Sequence, residues 1–347
     1  LSVEWKGENL RTTIKQIAER SGLSVPTVSR ILSNKGESHL LATRERVLQV
    51  ARELGYRPNM SARAMRQGRT GTLALLQSGT DQARSLLPAE LLAGLLAATA
   101  EYDLHLTVAA VPDARLTDQG FMPKILREWS ADGLLINYNA DIPKAMIELI
   151  QSHELPAVWI NSMQSADCVY PDDERGGQEA TERLLQLGHE RIAYATMEGV
   201  GHYSDSARRR GYDAAMQRAR KSVQHLIVFR HGNVGQESLT NANIEILKGS
   251  QAPTAIVCYN TQAVQATIHL ATAAGVSTPR ALSIIGFCVS PYEALGIRAI
   301  DTMVLPELEM GWSAVRMLIR KIEEPHISNA PLPIPYRFEG GWTTAPL

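Results

Sequence analysis

The chain has 347 residues, 44% hydrophobic and 20% charged, a folded globular composition with room for two or three domains that excludes a disordered or fibrous protein. No apolar run reaches the roughly 18 residues that span a bilayer, and residues 1–12 lack the apolar centre of a signal peptide, so a cytoplasmic protein is expected. The net charge of −1 hides a split: residues 1–70 hold 13 Lys+Arg against 6 Asp+Glu, and residues 71–347 hold 22 against 30. A basic head on an acidic body is expected when one module displaces counterions from a phosphate backbone and the rest does not. Cys168, Cys258 and Cys288 are odd in number and far apart, which argues against a disulfide framework and a Cys-based zinc site. They read as small buried hydrophobes, and neither a metal nor a cofactor is expected.

After a leader over residues 1–12, Thr13 stands as N-cap to a short helix whose Ile14, Ile17 and Ala18 share one face. Ser21-Gly22 ends it, because glycine accepts the left-handed turn. Ser24 can cap a second helix with Pro26 in its first turn; Val28, Ile31 and Leu32 face inward, leaving Val25, Pro26, Ser29 and Arg30 outward. A third helix over about 41–54 turns Val47, Leu48, Ala51 and Leu54 inward and ends at Gly55. Residues 13–57 therefore read as an all-α helix-turn-helix head whose second helix enters the major groove of double-stranded DNA. Arg30 is the base reader, since a guanidinium matches O6 and N7 of guanine, while Val25 and Pro26 offer apolar contact and Thr13, Ser24, Thr27 and Ser29 suit phosphate. A three-helix packing module that never meets DNA is the bland alternative, and the charge split weighs against it.

Residues 58–70 form a linker with a helix-competent segment too short to be stable alone. It carries three arginines and an apolar Met65, which suits ordering on DNA with Met65 as a wedge at a minor-groove step and Ala62 also against the DNA. A plain linker is the alternative. From Thr72 onward short apolar runs at 72–77, 104–110, 133–137, 156–160, 191–196, 254–258 and 282–287 read as strands. Amphipathic stretches at 88–101, 117–129, 142–152, 174–187, 205–219, 236–248 and 261–274 read as helices between them. Continuous apolar strands with helical crossovers imply parallel sheets covered on both faces. Their number suits two doubly wound subdomains with a ligand cleft outside the carboxyl ends of the strands.

Several of these segments closely resemble the LacI–GalR family of bacterial transcription regulators. The likeness is carried by Ser24-Val25-Pro26-Thr27-Val28-Ser29-Arg30, Thr43-Arg44-Glu45-Arg46-Val47 and Leu54-Gly55-Tyr56-Arg57-Pro58-Asn59 in the head. In the body Asp132-Gly133, Asp172 through Gly176-Gly177, Leu187-Gly188-His189, Ile284-Ile285-Gly286-Phe287, and Pro306 with Gly311 continue it. The resemblance implies a periplasmic-binding-protein-like core over residues 71–347, its subdomains joined by three crossovers, and a homodimer on pseudo-palindromic operator DNA controlled by a small-molecule effector. The expected division is an N-subdomain of about 71–167 and 300–327 and a C-subdomain of about 168–297 and 328–347. Met65 takes the place of the family's hinge leucine, and Leu40 that of a serine capping the third helix.

By the same resemblance Arg208 grips the effector, with His202 and Ser204 as further polar contacts. Three positions depart from the family pattern. Cys288 replaces an aspartate that accepts sugar hydroxyls, Asn260-Thr261 replaces an Asn-Asp or Gly-Asp pair, and Leu87-Pro88 stands where aromatics can stack on a ring. With fewer acids facing Arg208, an anionic sugar or another carboxylate or phosphate metabolite is the expected effector; a neutral sugar or an empty pocket is the alternative. Enzyme motifs are missing: no G-x-G-x-x-G after the first strand, no P-loop, no H-E-x-x-H and no G-x-S-x-G. The rival from another class is the solute-binding protein of a transporter, which the body fits and the basic head does not.

Overall fold

The computed structural model describes residues 12–33, 39–57, 68–79, 86–111, 125, 130–138, 142–230, 235–295 and 298–347. They fall into two compact units, residues 1–70 and 71–347. In the first, α1 (Ile14–Ser21), α2 (Val25–Leu32) and α3 (Leu41–Glu53) enclose Ile17, Ala18, Val28, Ile31, Val47, Val50 and Ala51. Thr13 accepts from the Gln16 amide while the Gln16 side chain accepts from the Thr13 amide, a reciprocal cap, and Gly22 ends α1 at φ 69°. Ser24 accepts from the Thr27 amide at the start of α2. One core assignment changes: Leu48 is 43% exposed and Val50 is buried instead. Val47, Val50, Ala51 and the half-buried Leu54 keep the i, i+3, i+4, i+7 face, and Leu48 falls beside it. Leu40 occupies the N-cap of α3 with no side-chain hydrogen bond.

The second unit holds two six-stranded sheets. In chain order the strands are β1 (Thr72–Ser78), β2 (His105–Val111), β3 (Gly133–Ile136), β4 (Ala157–Ile160), β5 (Cys168–Pro171), β6 (Ile192–Met197), β7 (His225–Phe229), β8 (Ala255–Cys258), β9 (Ser283–Cys288), β10 (Asp301–Val304), β11 (Leu332–Ile334) and β12 (Arg337–Glu339). The described helices are α4 (Ala89–Glu101), α5 (Lys144–Ser152), α6 (Asp173–Gln186), α7 (Tyr203–Arg218), α8 (Gln236–Lys248), α9 (Thr261–Ala274) and α10 (Glu307–Glu323). The first sheet runs β11-β5-β4-β3-β1-β2 and the second β12-β10-β9-β8-β6-β7, so the two correspond strand for strand. Every pairing is parallel except β10 with β12. Central strands such as β3, β4 and β8 are buried along their whole length, as strands covered on both faces must be.

The chain passes between the sheets three times, from β5 to α6, from β10 to α10 and from β11 to β12. The expected subdomain boundaries therefore shift. Residues 168–171 and 332–334 belong to the first sheet and 301–304 to the second, because short strands join the sheet that supplies their hydrogen-bond partners. β5, β7, β10, β11, β12 and α10 are additions to the elements expected from periodicity. Met310, Ala314, Val315 and Leu318 of α10 join Leu73, Leu91 and Leu95 in the core of the first sheet. The expected helix over 117–129 lies outside the described residues apart from Ile125.

Each sheet carries one pair of helices that touch backbone to backbone through glycine. A Cβ on Gly94 of α4 would lie 2.2 Å from Leu308 O of α10, and one on Gly311 would lie 2.7 Å from Leu91 O. On the second sheet Gly177 of α6 and Gly211 of α7 stand in the same relation, 2.0 Å from Arg208 O and 1.9 Å from Glu174 O. The C-terminal tail is sewn to the second sheet by Asp301, which accepts from the amides of Gly341, Thr343 and Thr344.

Candidate functional site

In the head, α2 presents the expected outer face: Val25 is 45% exposed, Ser24, Pro26 and Arg30 are exposed, and Thr27 and Ser29 are half-buried. Val28 and Ile31 anchor the opposite face. The hydroxyls of Thr13 and Ser24 also cap their own helices, and Ser24 Oγ lies 2.9 Å from Thr27 Oγ1. Ala62 and Met65 lie outside the described residues.

In the body, six of the seven expected effector residues gather where β6, β8 and β9 end. Arg208 is 4% exposed. Its Nε donates to Asp173 Oδ1 at 2.8 Å, Nη1 to Tyr259 O at 2.5 Å and Nη2 to Tyr336 Oη at 2.8 Å, and Tyr336 itself donates to Asp173 at 2.6 Å. The guanidinium lies 4.4 Å from the Phe287 ring centre. Of the run Arg208-Arg209-Arg210 only the first turns inward; Arg210 pairs with Glu174 on the surface. Fewer acids are expected from sequence to face Arg208, and the structure sets Asp173 against it within the chain.

His202 is the N-cap of α7. Its Nε2 donates to Asn161 O at the end of β4, 3.1 Å away, so Nδ1 is the acceptor facing Ser204 Oγ at 2.6 Å. Ser204 in turn lies 3.0 Å from Tyr259 Oη. A hydrogen-bond relay thereby runs from β8 of one sheet to β4 of the other, and burial holds the His202 pKa below its ordinary value. Asn260 Oδ1 accepts from the Ala263 amide and caps α9, the task a helix start imposes whatever the ligand. Cys288 is 1% exposed, near Thr261 and Thr302, and burial pushes its thiol up to about 11. Leu87 sits apart from these six, half-buried against the core of the first sheet.

Asp173, Tyr259, Tyr336 and Asn161 complete the site and were not singled out by sequence reasoning. Asp173 belongs to a recognised motif, but its pairing with a residue 35 positions away carries no local signal.

A model described as bacterial regulatory proteins, lacI family, matches residues 13–59, and a periplasmic binding protein-like domain matches residues 181–341. The head of the chain is thus similar to the lacI family of bacterial regulatory proteins, and its body to a periplasmic binding protein-like domain. Among its relatives, the HTH-type transcriptional regulator DegA of Bacillus subtilis is 28% identical over 87% of this chain and 89% of its own. The probable HTH-type transcriptional repressor ExuR of the same organism is 27% identical over 90% and 92%. The lac repressor dimer bound to operator and the anti-inducer ONPF shares the fold, with a TM-score of 0.75 at 21% identity over 96% of this chain and 99% of that one. The chain is a DNA-binding transcription regulator with an effector-binding core, and it is not an enzyme. The match over the head sets aside the solute-binding-protein alternative. Among the described residues no helix is long and apolar enough to cross a membrane.

Proposed function

We propose that this regulator acts as a homodimer that presses two copies of α2 into adjacent half-sites of a pseudo-palindromic operator, and that a small molecule held between the two sheets sets its affinity. The observation that carries the first half is the amphipathic α2, anchored by Val28 and Ile31 and offering Arg30, Val25 and Pro26 outward at a capped N-terminal end. Residues 58–70, with Ala62 and Met65, follow it to the minor groove. The shared fold with an operator-bound lac repressor dimer supports the arrangement. The second half is supported by three chain crossings between the sheets and by polar groups that meet from the ends of β4, β6 and β8. A ligand that alters the angle between the sheets moves the start of β1, where the linker enters, and a typical coupling is about 1–3 kcal/mol.

Arg30→Ala is expected to weaken operator binding by about 1–3 kcal/mol and to relax base preference at one position in each half-site. Selecting bound DNA from a random pool with both proteins tests this. An unchanged binding-site logo rejects Arg30 as the base reader.

A further inference from the structure

The correspondence between the sheets extends to their glycine-packed helix pairs, and it exposes one asymmetry. Strand order matches β5 with β10, so α6, which follows β5, corresponds to α10, which follows β10. Likewise α7, after β6, corresponds to α4, after β1. Four residues before the contact glycine of α6 stands Asp173, and four before that of α10 stands Glu307. Both acids are buried, at 2% and 4% exposure. Three residues before the contact glycine of α7 stands Arg208, which neutralises Asp173; three before that of α4 stands Leu91, which cannot neutralise anything.

Glu307 therefore has the position of a paired acid without its cation. Its Oε2 is buried with no hydrogen-bond partner among the described residues, as is Oδ2 of Asp173, whose Oδ1 alone carries the pairing. The charges that bear on it make matters worse. Burial, and after it Glu293, which follows β9 of the second sheet, and Glu90 in the first turn of α4 on the first, push the Glu307 carboxyl up to about 7. Among the described residues no cation bears on it. Glu307 thus stands at the start of a crossover helix with an acid from each sheet's side of the chain bearing on it. Ionising a buried carboxyl costs several kcal/mol, so it either holds its proton or takes a cation beside it. The described acids form no group of three that could hold a metal ion.

We propose that the controlling ligand carries a protonated amine and that Glu307 receives it, doing for the ligand what Asp173 does for Arg208. This rests on the reading that a small molecule in the cleft governs DNA binding. It also reverses the charge expected of the effector.

The test uses the full chain and matched probes: glucosamine against glucose and glucuronate, ethanolamine against ethylene glycol and glycolate, and putrescine against butanediol and succinate. By titration calorimetry an amine is expected to bind at least about tenfold more tightly than its neutral and acidic counterparts, and Glu307→Gln to remove that preference. At pH 6, where a carboxyl raised to about 7 is mostly protonated, amine binding drives Glu307 to ionise. It should therefore release close to about one proton in the wild-type chain, read from the buffer dependence of the heat. This second readout does not depend on how the variant folds. A panel in which no amine binds, or in which Glu307→Gln leaves amine affinity unchanged, overturns the proposal. A neutral or acidic probe that binds and shifts operator affinity removes the amine but keeps ligand control. An amine that binds through Glu307 without shifting operator affinity keeps the site and removes the control.

Discussion

Arg208 and Asp173 form a pair whose side chains are 5% and 0% exposed, and such a pair is held together by geometry as much as by charge. Three donor groups of the guanidinium have acceptors at 2.5–2.8 Å, and Tyr336 closes the ring by donating to the same carboxylate oxygen. Arg208 is best seen as the frame of the cleft wall, holding the ends of β8, α6 and the last crossover together. Arg208→Ala is expected to destabilise the body by about 3–5 kcal/mol, because Asp173 is left buried and charged. Adding Asp173→Asn to that variant should recover part of the loss, since a neutral amide is cheaper to bury. Urea unfolding of the three chains checks it; a single variant as stable as the wild type would show that the pair is not what holds the wall. Its motif singles out the arginine, whereas its partner 35 residues away is visible only in the fold.

Among the elements, α1 and α2 carry caps that the sequence announces, and α3 does not. Leu40 is 80% exposed at the N-cap of α3 and Leu41 is 69% exposed beside it, an apolar start where a hydroxyl would serve. Leu40→Ser should give the first-turn amides an acceptor and slow hydrogen exchange at Ala42 and Thr43 by about 2- to 30-fold, the effect of about 0.5–2 kcal/mol at a cap. Unchanged exchange would mean that the α3 start is already satisfied. Four of the five strands missed from sequence share a physical cause. β5, β10, β11 and β12 have three or four residues each, too few to show a period, and their hydrogen-bond partners lie on distant segments. α10 is different: its Met310, Ala314, Val315 and Leu318 are at helical spacing, so the signal was present and went unused.

For the whole molecule, the relay from Tyr259 through Ser204 and His202 to Asn161 joins the two subdomains across the cleft. Burial lowers the His202 pKa, so the native chain binds fewer protons than the unfolded one just below the ordinary histidine value of about 6.5. Stability from this group is present above that value and is lost as pH falls through it toward the lowered native value. His202→Gln should flatten that part of the pH dependence, leaving the share of His189, which burial also holds neutral. Urea midpoints on either side of about pH 6.5 measure it, and a variant with the wild-type slope would exclude His202 as the group that titrates.

By itself the sequence determined the basic head, its three helices with two of their caps, the parallel α/β body and the family resemblance, because each depends on residues close together in the chain: helix periods, capping pairs, apolar runs and short motifs. Tertiary structure alone decided which sheet each crossover strand joins, that Arg208 is neutralised from within, and that Glu307 is not. Burial and charge pairing depend on what distant segments bring to the same place, and no local pattern records that.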